Sequence, residues 1–328
     1  MRVSRNYSVG FQQAKVVMIK TSDINPEIET WDVEINGVRL EIDMYGDQES
    51  DRLALCLHGF PEHAVSWRFQ MPVLADLGMK VWAPNLRGYG NSAVPGDIQD
   101  YSIEILMDDV AGLIDAAGCE HVTLIAHDWG AMIAWYFAVR EVRTLDRLII
   151  CNVPHPEAMR SAMGWRQLMR SWYAIFFQVP MLPEWALSRR GLGDLMRDSS
   201  ATPDNFPDDV LQLYNANGRR PDGLTGMINY YRALLRGGGG QRQRDLGTPI
   251  IETPTLMLWG EDDMALTIET TYDTENWVRD LTLRYLPRVS HWVQQDAPGE
   301  VNAMIEAFIQ GEEVPRMVWQ ANLESMED

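Results

Sequence analysis

An aspartate with a small residue two positions away on each side stands between two apolar segments in AHDWG (126–130). HVTLIA before it has the composition of a short buried strand, and GAMIAWYFAVR after it has helical spacing. Such a strand–turn–helix elbow holds its central residue, here Asp128, in a tight turn. The small residues Ala126 and Gly130 would let strand and helix approach closely.

The side chain of Asp128 is suited to nucleophilic chemistry at this position. A carboxyl group with an ordinary pKa of about 3.9 is already an anion at neutral pH and needs no base to activate it. It would displace a leaving group at saturated carbon and form an alkyl ester with the protein. The alternative is that Asp128 merely caps the following helix.

A second loop, HGFPE (58–62), follows the apolar run LALCL. Proline fixes the turn and glycine allows a close approach, so the loop can present the backbone N–H of Phe60 beside the elbow. The N–H of Trp129 points to the same place. Two convergent N–H groups form an oxyanion hole, and we predict Phe60 and Trp129 as its donors.

Two loops near the C-terminal end of the chain supply an acid and a histidine. Asp263 follows the apolar strand TLMLW in WGEDD, and His291 follows LTLRYLP in SHW. The order nucleophile, acid, histidine is that of an α/β-hydrolase triad. We expect Asp263 to orient the imidazole and His291 to deprotonate a water. Asp262 is the alternative acid, and a lone histidine in such a loop is more often a surface residue.

Short apolar strands alternate with helices on both sides of a long interruption. IETWDVEI and VRLEIDMY alternate apolar and polar residues around Asn36-Gly37, which predicts a hairpin. Strands over LALCL, MKVWAPN, HVTLIA, LDRLIICNV, TPTLMLWG and LTLRYLP then predict a mostly parallel sheet flanked by helices, including helices around 268–278 and in GEVNAMIEAFIQ.

Between Pro154 and Gly247 the strand signal stops and helical stretches rich in Trp, Met, Arg and Pro follow. We therefore predict an α/β-hydrolase fold with an inserted helical cap (lid) domain, with the run of glycines at 237–240 as a flexible connector. The predicted domains are a core in two parts, 26–153 and 248–312, a cap at 154–247, and terminal arms at 1–25 and 313–328.

Composition limits the function. The 328 residues carry 28 Lys+Arg and 47 Asp+Glu, a net charge of −19 that repels nucleic-acid backbones and anionic lipid surfaces. The apolar stretch at 171–183 has two prolines and is shorter than the ~20 residues of a membrane span. Three cysteines without a CxxC pair suit a reducing compartment. We expect a soluble, cytoplasmic protein without a membrane span or a nucleic-acid partner.

Taken together, the motifs HGFPE, SWR (66–68), NLRGYGNS, AHDWG, NVPHP, WGEDD and SHW resemble those of the epoxide hydrolases of the α/β-hydrolase superfamily. The likeness covers about 28–311, and its one departure is Ala126 where glycine is more common. The resemblance implies that Asp128 opens an epoxide while two cap tyrosines donate to the ring oxygen. NYYR (229–232) resembles the second tyrosine motif and places that role on Tyr231; Tyr173 in WYAIFFQ resembles the first.

A proton donor is what this chemistry requires, because ring opening expels an alkoxide, a poor leaving group. Phenols are neutral donors at pH 7, although cap tyrosines could equally well only pack. Tyr230 should not duplicate Tyr231, since neighbours cannot share a helix face. The expected activity converts an epoxide and water to a vicinal diol, with Trp129, Phe60, Tyr173 and Tyr231 contacting the substrate.

Two other functions remain open at this stage. A haloalkane dehalogenase shares the elbow and the triad but binds halide with N–H donors, for which Trp129, Trp172 and Trp185 are available. A hydrolase-fold protein that binds a ligand without turnover is the other alternative. No zinc-type spacing and no dinucleotide fingerprint occur, so we expect no metal and no organic cofactor. An apolar cap surface could also form a homodimer.

Overall fold

The computed structural model describes residues 20–317, in which eight strands form one sheet. The strand order is β1-β2-β4-β3-β5-β6-β7-β8; β1 and β2 pair antiparallel, as do β2 and β4, and the other neighbours are parallel. The strands are Glu29–Ile35, Val38–Tyr45, Arg52–Leu57, Lys80–Pro84, His121–His127, Arg147–Cys151, Thr255–Gly260 and Leu281–Leu286.

Thirteen α-helices accompany this sheet in the described residues. In chain order, α1 to α13 are Gln70–Asp76, Ile103–Ala117, Trp129–Val139, Pro156–Ser161, Trp165–Arg170, Trp172–Phe176, Leu182–Arg190, Leu192–Ser199, Asp208–Arg219, Gly223–Arg236, Gly239–Leu246, Val293–Asp296 and Pro298–Gln310. Helices α1 and α13 contribute to the hydrophobic cluster on one face of the sheet, whereas α2 and α3 contribute to the cluster on the other. Both faces are therefore covered, which is why the central strands are apolar throughout.

The predicted hairpin is confirmed. Asn36 and Gly37 both have positive φ, 46° and 72°, and they join β1 to β2 with Ile35 opposite Val38. Two consecutive left-handed residues give the tight turn that matches the twist of the flanking strands, and Asn-Gly adopts it at little cost. The predicted mostly parallel sheet and its flanking helices are likewise confirmed.

The segment 154–247, which we call the helical insert, contains helices α4 to α11 and none of the described strands. It leaves the sheet after β6 and returns before β7. The glycine run inside it is not a free connector, because Gly237 ends α10 and Gly239 begins α11. The prediction of a flexible connector at this point is therefore wrong: Gly237 and Gly238 form a turn between two helices, and Gly239 and Gly240 belong to α11.

Another correction concerns the predicted helix around 268–278. The structure has only two single-turn 3₁₀ helices there, Ile268–Thr271 and Thr274–Asn276. The three threonines in this stretch, Thr270, Thr271 and Thr274, each donate their hydroxyl to the backbone carbonyl three residues earlier. Such local side-chain bonds compete with a continuous helix.

The predicted terminal arms lie largely outside the described residues. Inside them, Thr21–Asp23 forms a 3₁₀ turn with Thr21 buried, so this part of the first arm packs on the core. Within the described range, no helix is both long and apolar enough to cross a bilayer.

Candidate active site

Asp128 lies at the junction of β5 and α3 in a backbone conformation that few residues adopt, with φ 47° and ψ −118°. The strained turn is imposed by close packing around it. A Cβ at Gly130 would collide with the carbonyl oxygens of Leu57 and His58, and one at Gly59 would collide with the Asp128 carboxylate. The carboxylate makes no capping hydrogen bond to α3, so the helix-cap alternative is not favoured.

One oxygen of this carboxylate is held by the loop after β3. The backbone N–H of Phe60 donates to Asp128 Oδ1 at 2.6 Å, and the N–H of Gly59 is bound by Glu62 at 2.8 Å. Phe60 therefore occupies the position predicted for an oxyanion-hole donor. Trp129 begins α3 directly after the elbow, and its N–H as the second donor stays a prediction.

His291 lies between two carboxylates. Its Nδ1 is 2.6 Å from Asp263 Oδ2, and its Nε2 is 3.5 Å from Asp128 Oδ2. Asp263 is buried and its Oδ1 accepts the backbone N–H groups of Ala265 and Leu266, at 2.7 and 2.9 Å. Asp262 is exposed. The geometry thus brings Asp263, and not Asp262, to the imidazole.

The protonation states follow from this arrangement. Burial by itself would lower the pKa of His291, but Asp263 and Asp128 together outweigh it and hold that pKa well above its ordinary value. Burial would raise the pKa of both carboxyls, and here the charge of His291 and its hydrogen bonds outweigh it, so both pKa values lie below the ordinary range. This arrangement favours a protonated imidazole between two anions in the resting site.

Both predicted cap tyrosines line the cavity that contains Asp128 and His291. Their rings are 5.8 Å apart and nearly perpendicular, with Tyr173 on α6 and Tyr231 on α10. Burial, together with the nearby Asp128 charge, raises the pKa of both phenols above its ordinary value, so both stay neutral donors. Tyr230 points elsewhere, because its hydroxyl donates to the Arg87 carbonyl at 2.9 Å.

The cavity has a volume of about 630 Å³, enough for a drug-sized molecule, and its walls are mainly apolar. Four other crevices on the described surface are smaller, at about 20 to 410 Å³. Its lining comprises Phe60, Pro61, Asp128, Met169, Arg170, Trp172, Tyr173, Phe176, Phe177, Ala186, Leu187, Arg190, Leu195, Ser199, Tyr231, Met264, Ala265, His291 and Trp292.

Sequence reasoning missed a buried polar layer behind the triad. His127 is 2.6 Å from Glu62 and 2.8 Å from the His291 carbonyl oxygen, and Asn152 donates to Asp263 at 2.7 Å. All three lie in segments that the motifs had already marked, namely HGFPE, AHDWG and NVPHP. Their contacts span more than 60 residues of chain, and no local pattern announces them.

Arg170 is a further residue that the sequence did not single out. It ends α5, three residues before Tyr173, and its Nη1 donates to the Asp263 carbonyl oxygen at 2.7 Å. A charge-assisted hydrogen bond of this kind links the helical insert directly to the loop that carries Asp263.

Neither a halide site nor a metal site is favoured by the geometry. Trp172 and Trp185 are exposed, at 61% and 56%, while the Trp129 ring packs against Tyr230 and Tyr231. Among residues 20–317, no cluster of three or more His, Cys, Asp or Glu side chains could hold a metal ion.

Comparison with known proteins agrees with the fold. A family model described as the alpha/beta hydrolase fold matches residues 55–298. Epoxide hydrolase 1 of Caenorhabditis elegans is 35% identical over 297 residues, which cover 86% of this chain and 71% of the relative.

Solved structures give the same result. Epoxide Hydrolase A from Mycobacterium thermoresistibile is 30% identical with a TM-score of 0.71, over 88% of this chain and 100% of the other. The Bacillus megaterium epoxide hydrolase in complex with an inhibitor is 28% identical with a TM-score of 0.77, over 85% and 100%. The chain therefore belongs to the alpha/beta hydrolase fold family and, within it, to the epoxide hydrolases, enzymes that hydrolyse ether bonds.

Proposed function

We propose that this enzyme converts an epoxide and water to a vicinal diol through a covalent ester on Asp128. One observation carries the proposal: a nucleophilic carboxylate, an imidazole and two neutral phenols face the same apolar cavity. An epoxide needs those groups, because its carbon must be attacked while its oxygen receives a proton.

In the first step, Asp128 attacks one oxirane carbon and the bond from that carbon to the ring oxygen breaks. Because Phe60 holds Oδ1, the attacking atom is Oδ2. Tyr173 and Tyr231 donate to the ring oxygen, which takes a proton from one of them. The products are a hydroxyalkyl ester and a tyrosinate, and the proton that His291 carries in the resting enzyme then passes through water to the tyrosinate.

In the second step, neutral His291 takes a proton from water, and the resulting hydroxide attacks the ester carbonyl carbon. The N–H groups of Phe60 and Trp129 stabilise the oxyanion that forms on Oδ1. The tetrahedral species expels the diol oxygen, which takes the proton from His291. The carboxylic acid left on Asp128 then gives its proton to His291, which restores the protonated imidazole of the resting enzyme and closes the cycle.

The charge arrangement explains how His291 can be protonated in the resting enzyme and still act as a base on the ester intermediate. In the resting enzyme two carboxylates hold His291 protonated, and it cannot act as a base. Ester formation removes the negative charge of Asp128, and the pKa of His291 must then fall. The imidazole therefore becomes a base only after the nucleophile has reacted, with Asp263 as its positioning residue.

The helical insert would act in this scheme as the cap domain, with the domain limits given above. Its helices α6 and α10 bring the two phenols over a nucleophile that belongs to the sheet. The dehalogenase alternative is not favoured, because a leaving halide needs no phenol and the exposed Trp172 and Trp185 offer no enclosed halide site.

The test is to trap the ester on His291→Gln. The variant is incubated separately with small epoxides, bulky epoxides and 1-haloalkanes, and the Asp128 peptide is examined by mass spectrometry. Without its base the ester should accumulate and add the full mass of the epoxide. A single turnover of the native enzyme in heavy-oxygen water should then label the Asp128 peptide, since the attacked atom is its carbonyl carbon.

Asp128→Ala is the matched control and should show neither adduct nor diol. Substantial turnover by Asp128→Ala, or heavy oxygen entering the diol in a single turnover, would refute the covalent mechanism. An adduct formed only from haloalkanes, with halide released, would assign the chain to dehalogenation instead.

A further inference from the structure

Large apolar side chains are exposed mainly in one short part of the chain. Of the seventeen that are exposed among the described residues, ten lie at positions 163–185: Met163, Trp165, Leu168, Met169, Trp172, Ile175, Val179, Met181, Leu182 and Trp185. We call these ten side chains the apolar face. A concentration of this kind marks an interaction surface, whereas isolated exposed apolar residues do not.

Part of the apolar face lies on helices whose apolar side is exposed and whose polar side is buried. Leu168 and Met169 lie three and four residues after Trp165, and Trp172 lies four and three residues after them, so all four lie on one side of α5 and the start of α6. That side is exposed, Trp165 by 70%. The buried side is polar: Gln167 is 1% exposed and bonds Ser171, Ala265 and Thr267. The apolar stripe is therefore turned toward the solvent and not toward the core.

The charge around the apolar face is opposite to that of the chain. Positions 158–190 contain five arginines and a single acidic residue, Glu184, which already pairs with Arg232 at 2.8 Å. The arginines in this stretch are Arg160, Arg166, Arg170, Arg189 and Arg190, all exposed. Two of them are paired with carboxylates just outside it, Arg160 with Glu157 at 2.7 Å and Arg190 with Asp198 at 3.3 Å. Two of them lie over tryptophan rings of the apolar face, Arg189 over Trp185 and Arg166 over Trp165. The net charge of −19 therefore conceals a basic, tryptophan-rich surface.

We propose that the apolar face docks on an anionic lipid surface. Helices with tryptophan and aliphatic residues on one side and arginines beside them are typical of proteins that lie in a membrane interface. Arginines near the surface attract anionic headgroups. The acidic groups of the core that lie farther from the lipid than a Debye length, about 8 Å, are largely screened. Charge complementarity thus favours lipid over a second copy, whose matching face would carry the same arginines.

The position of the cavity also argues against a second copy. Met169 and Trp172 belong to the apolar face and line the cavity, and the exposed Met264 lies beside them. A second copy seated on this face would cover the opening of the cavity beside these residues. A lipid surface would instead place that opening next to apolar molecules dissolved in the lipid, so an epoxide that partitions into lipid could reach Asp128 without crossing water. This consequence rests on the proposed function; the docking itself does not.

The experiment compares two variants of exposed tryptophan. Trp165→Ser combined with Leu168→Ser removes two side chains of the apolar face that do not line the cavity. Trp31→Ser is the matched control, since Trp31 is 57% exposed but lies on β1, outside the helical insert. Each protein is sedimented with vesicles of phosphatidylcholine alone and of equal parts phosphatidylcholine and phosphatidylglycerol.

The native enzyme and the Trp31 control should sediment with the phosphatidylglycerol vesicles, and added salt should weaken the binding. The double variant should bind roughly tenfold less or worse, because two large apolar side chains are lost from the contact. Its turnover of a water-soluble epoxide should equal that of the native enzyme, while turnover of a lipophilic epoxide held in vesicles should fall.

Three results would overturn the proposal: no vesicle binding by the native enzyme, equal binding by the double variant, or a native dimer that the double variant converts to monomers in the absence of vesicle binding. The third would assign the face to a second copy. Vesicle binding is measured without substrate, so a failed ester-trapping experiment would leave this result standing.

Discussion

The sheet-bearing core and the helical insert differ in charge and in where their apolar side chains lie. The insert, residues 154–247, has 12 arginines and 9 acidic residues, a net charge of +3; the other 234 residues carry 16 basic and 38 acidic residues, a net charge of −22. The core buries its apolar strands from both sides, whereas the insert exposes most of the large apolar side chains that are exposed at all.

This difference separates two tasks. The core holds Asp128, Asp263 and His291 in a buried hydrogen-bond network, where the interactions between charges are strong and the positions of the side chains are fixed. The insert supplies phenols, cavity walls and a surface. The net charge of the whole chain averages the two regions. The expectation that this charge repels nucleic-acid backbones and anionic lipid surfaces therefore applies to the core and not to the insert.

The first prediction tests the core and carries the largest effect. Asp263→Asn should slow ester hydrolysis by about 10³-fold, because His291 loses the anion that orients it. Loss of that charge also lowers the pKa of His291, so the residual hydrolysis should reach its plateau at a lower pH. Rapid-quench single turnovers over a pH series measure both quantities. Asp262→Asn is the control, and an equal loss there would contradict the assignment of the acid.

The second prediction compares ion pairs of the two regions. Asp109 lies in the core with two bonds to Arg87 at 2.5 and 2.6 Å, and both side chains are buried. Asp109→Asn should lower the free energy of unfolding by about 3–5 kcal/mol, since it leaves a buried guanidinium without its counter-charge. Asp198→Asn removes the partner of Arg190 on the exposed insert and should change it by less than about 1 kcal/mol. Urea unfolding distinguishes them; equal losses would refute the contrast.

The third prediction concerns the insert's part in the chemistry. Tyr231→Phe should slow ring opening by about 10²-fold and leave ester hydrolysis unchanged, because the phenol acts only on the epoxide oxygen. Tyr230→Phe is the control: it lacks a bond to the Arg87 carbonyl and should lose about 1 kcal/mol of stability but no ring-opening rate. Stopped-flow and rapid-quench measurements separate the steps. Equal slowing of both steps by Tyr231→Phe would contradict a role as proton donor.

The fourth prediction concerns the link between the regions and has the smallest effect. Arg170→Met should lower kcat by about tenfold, because the Asp263 loop loses its hydrogen bond from the insert and the triad is held less closely. As a positioning residue, Arg170 should also alter the pH profile of ester hydrolysis, and Arg170→Lys should restore part of the rate. Arg166→Met on the same helix is the control. An unchanged pH profile for Arg170→Met would leave the residue a purely structural role.

Much of the core could be predicted because its signals are local. The strand around HVTLIA and the turn at Asn36-Gly37 each depend on a few neighbouring residues, and the structure has both. Asp128 and His291 were recognisable for the same reason, since each follows a buried strand directly.

The predictions that failed, and the features that were missed, lie where the local apolar pattern does not decide the structure. The apolar periodicity at 268–278 predicts a helix, yet threonine hydroxyls bond the backbone there and only 3₁₀ turns form. The layer formed by Glu62, His127 and Asn152 could not be predicted, because its hydrogen bonds join residues far apart in the chain. The exposure of Trp165 could not be predicted either, because apolar residues three and four positions apart usually mark the buried side of a helix.

The sequence by itself determined the strand ends, the residue types that face them and the order nucleophile, acid, histidine, because hydrophobic periodicity and turn chemistry act over a few residues. Only the tertiary structure decided that Asp263 and not Asp262 meets the imidazole, that Arg170 joins the insert to that loop, and that the apolar stripe of α5 faces outward. Those choices depend on which surfaces meet when distant segments pack, and one chain's local pattern does not contain that information.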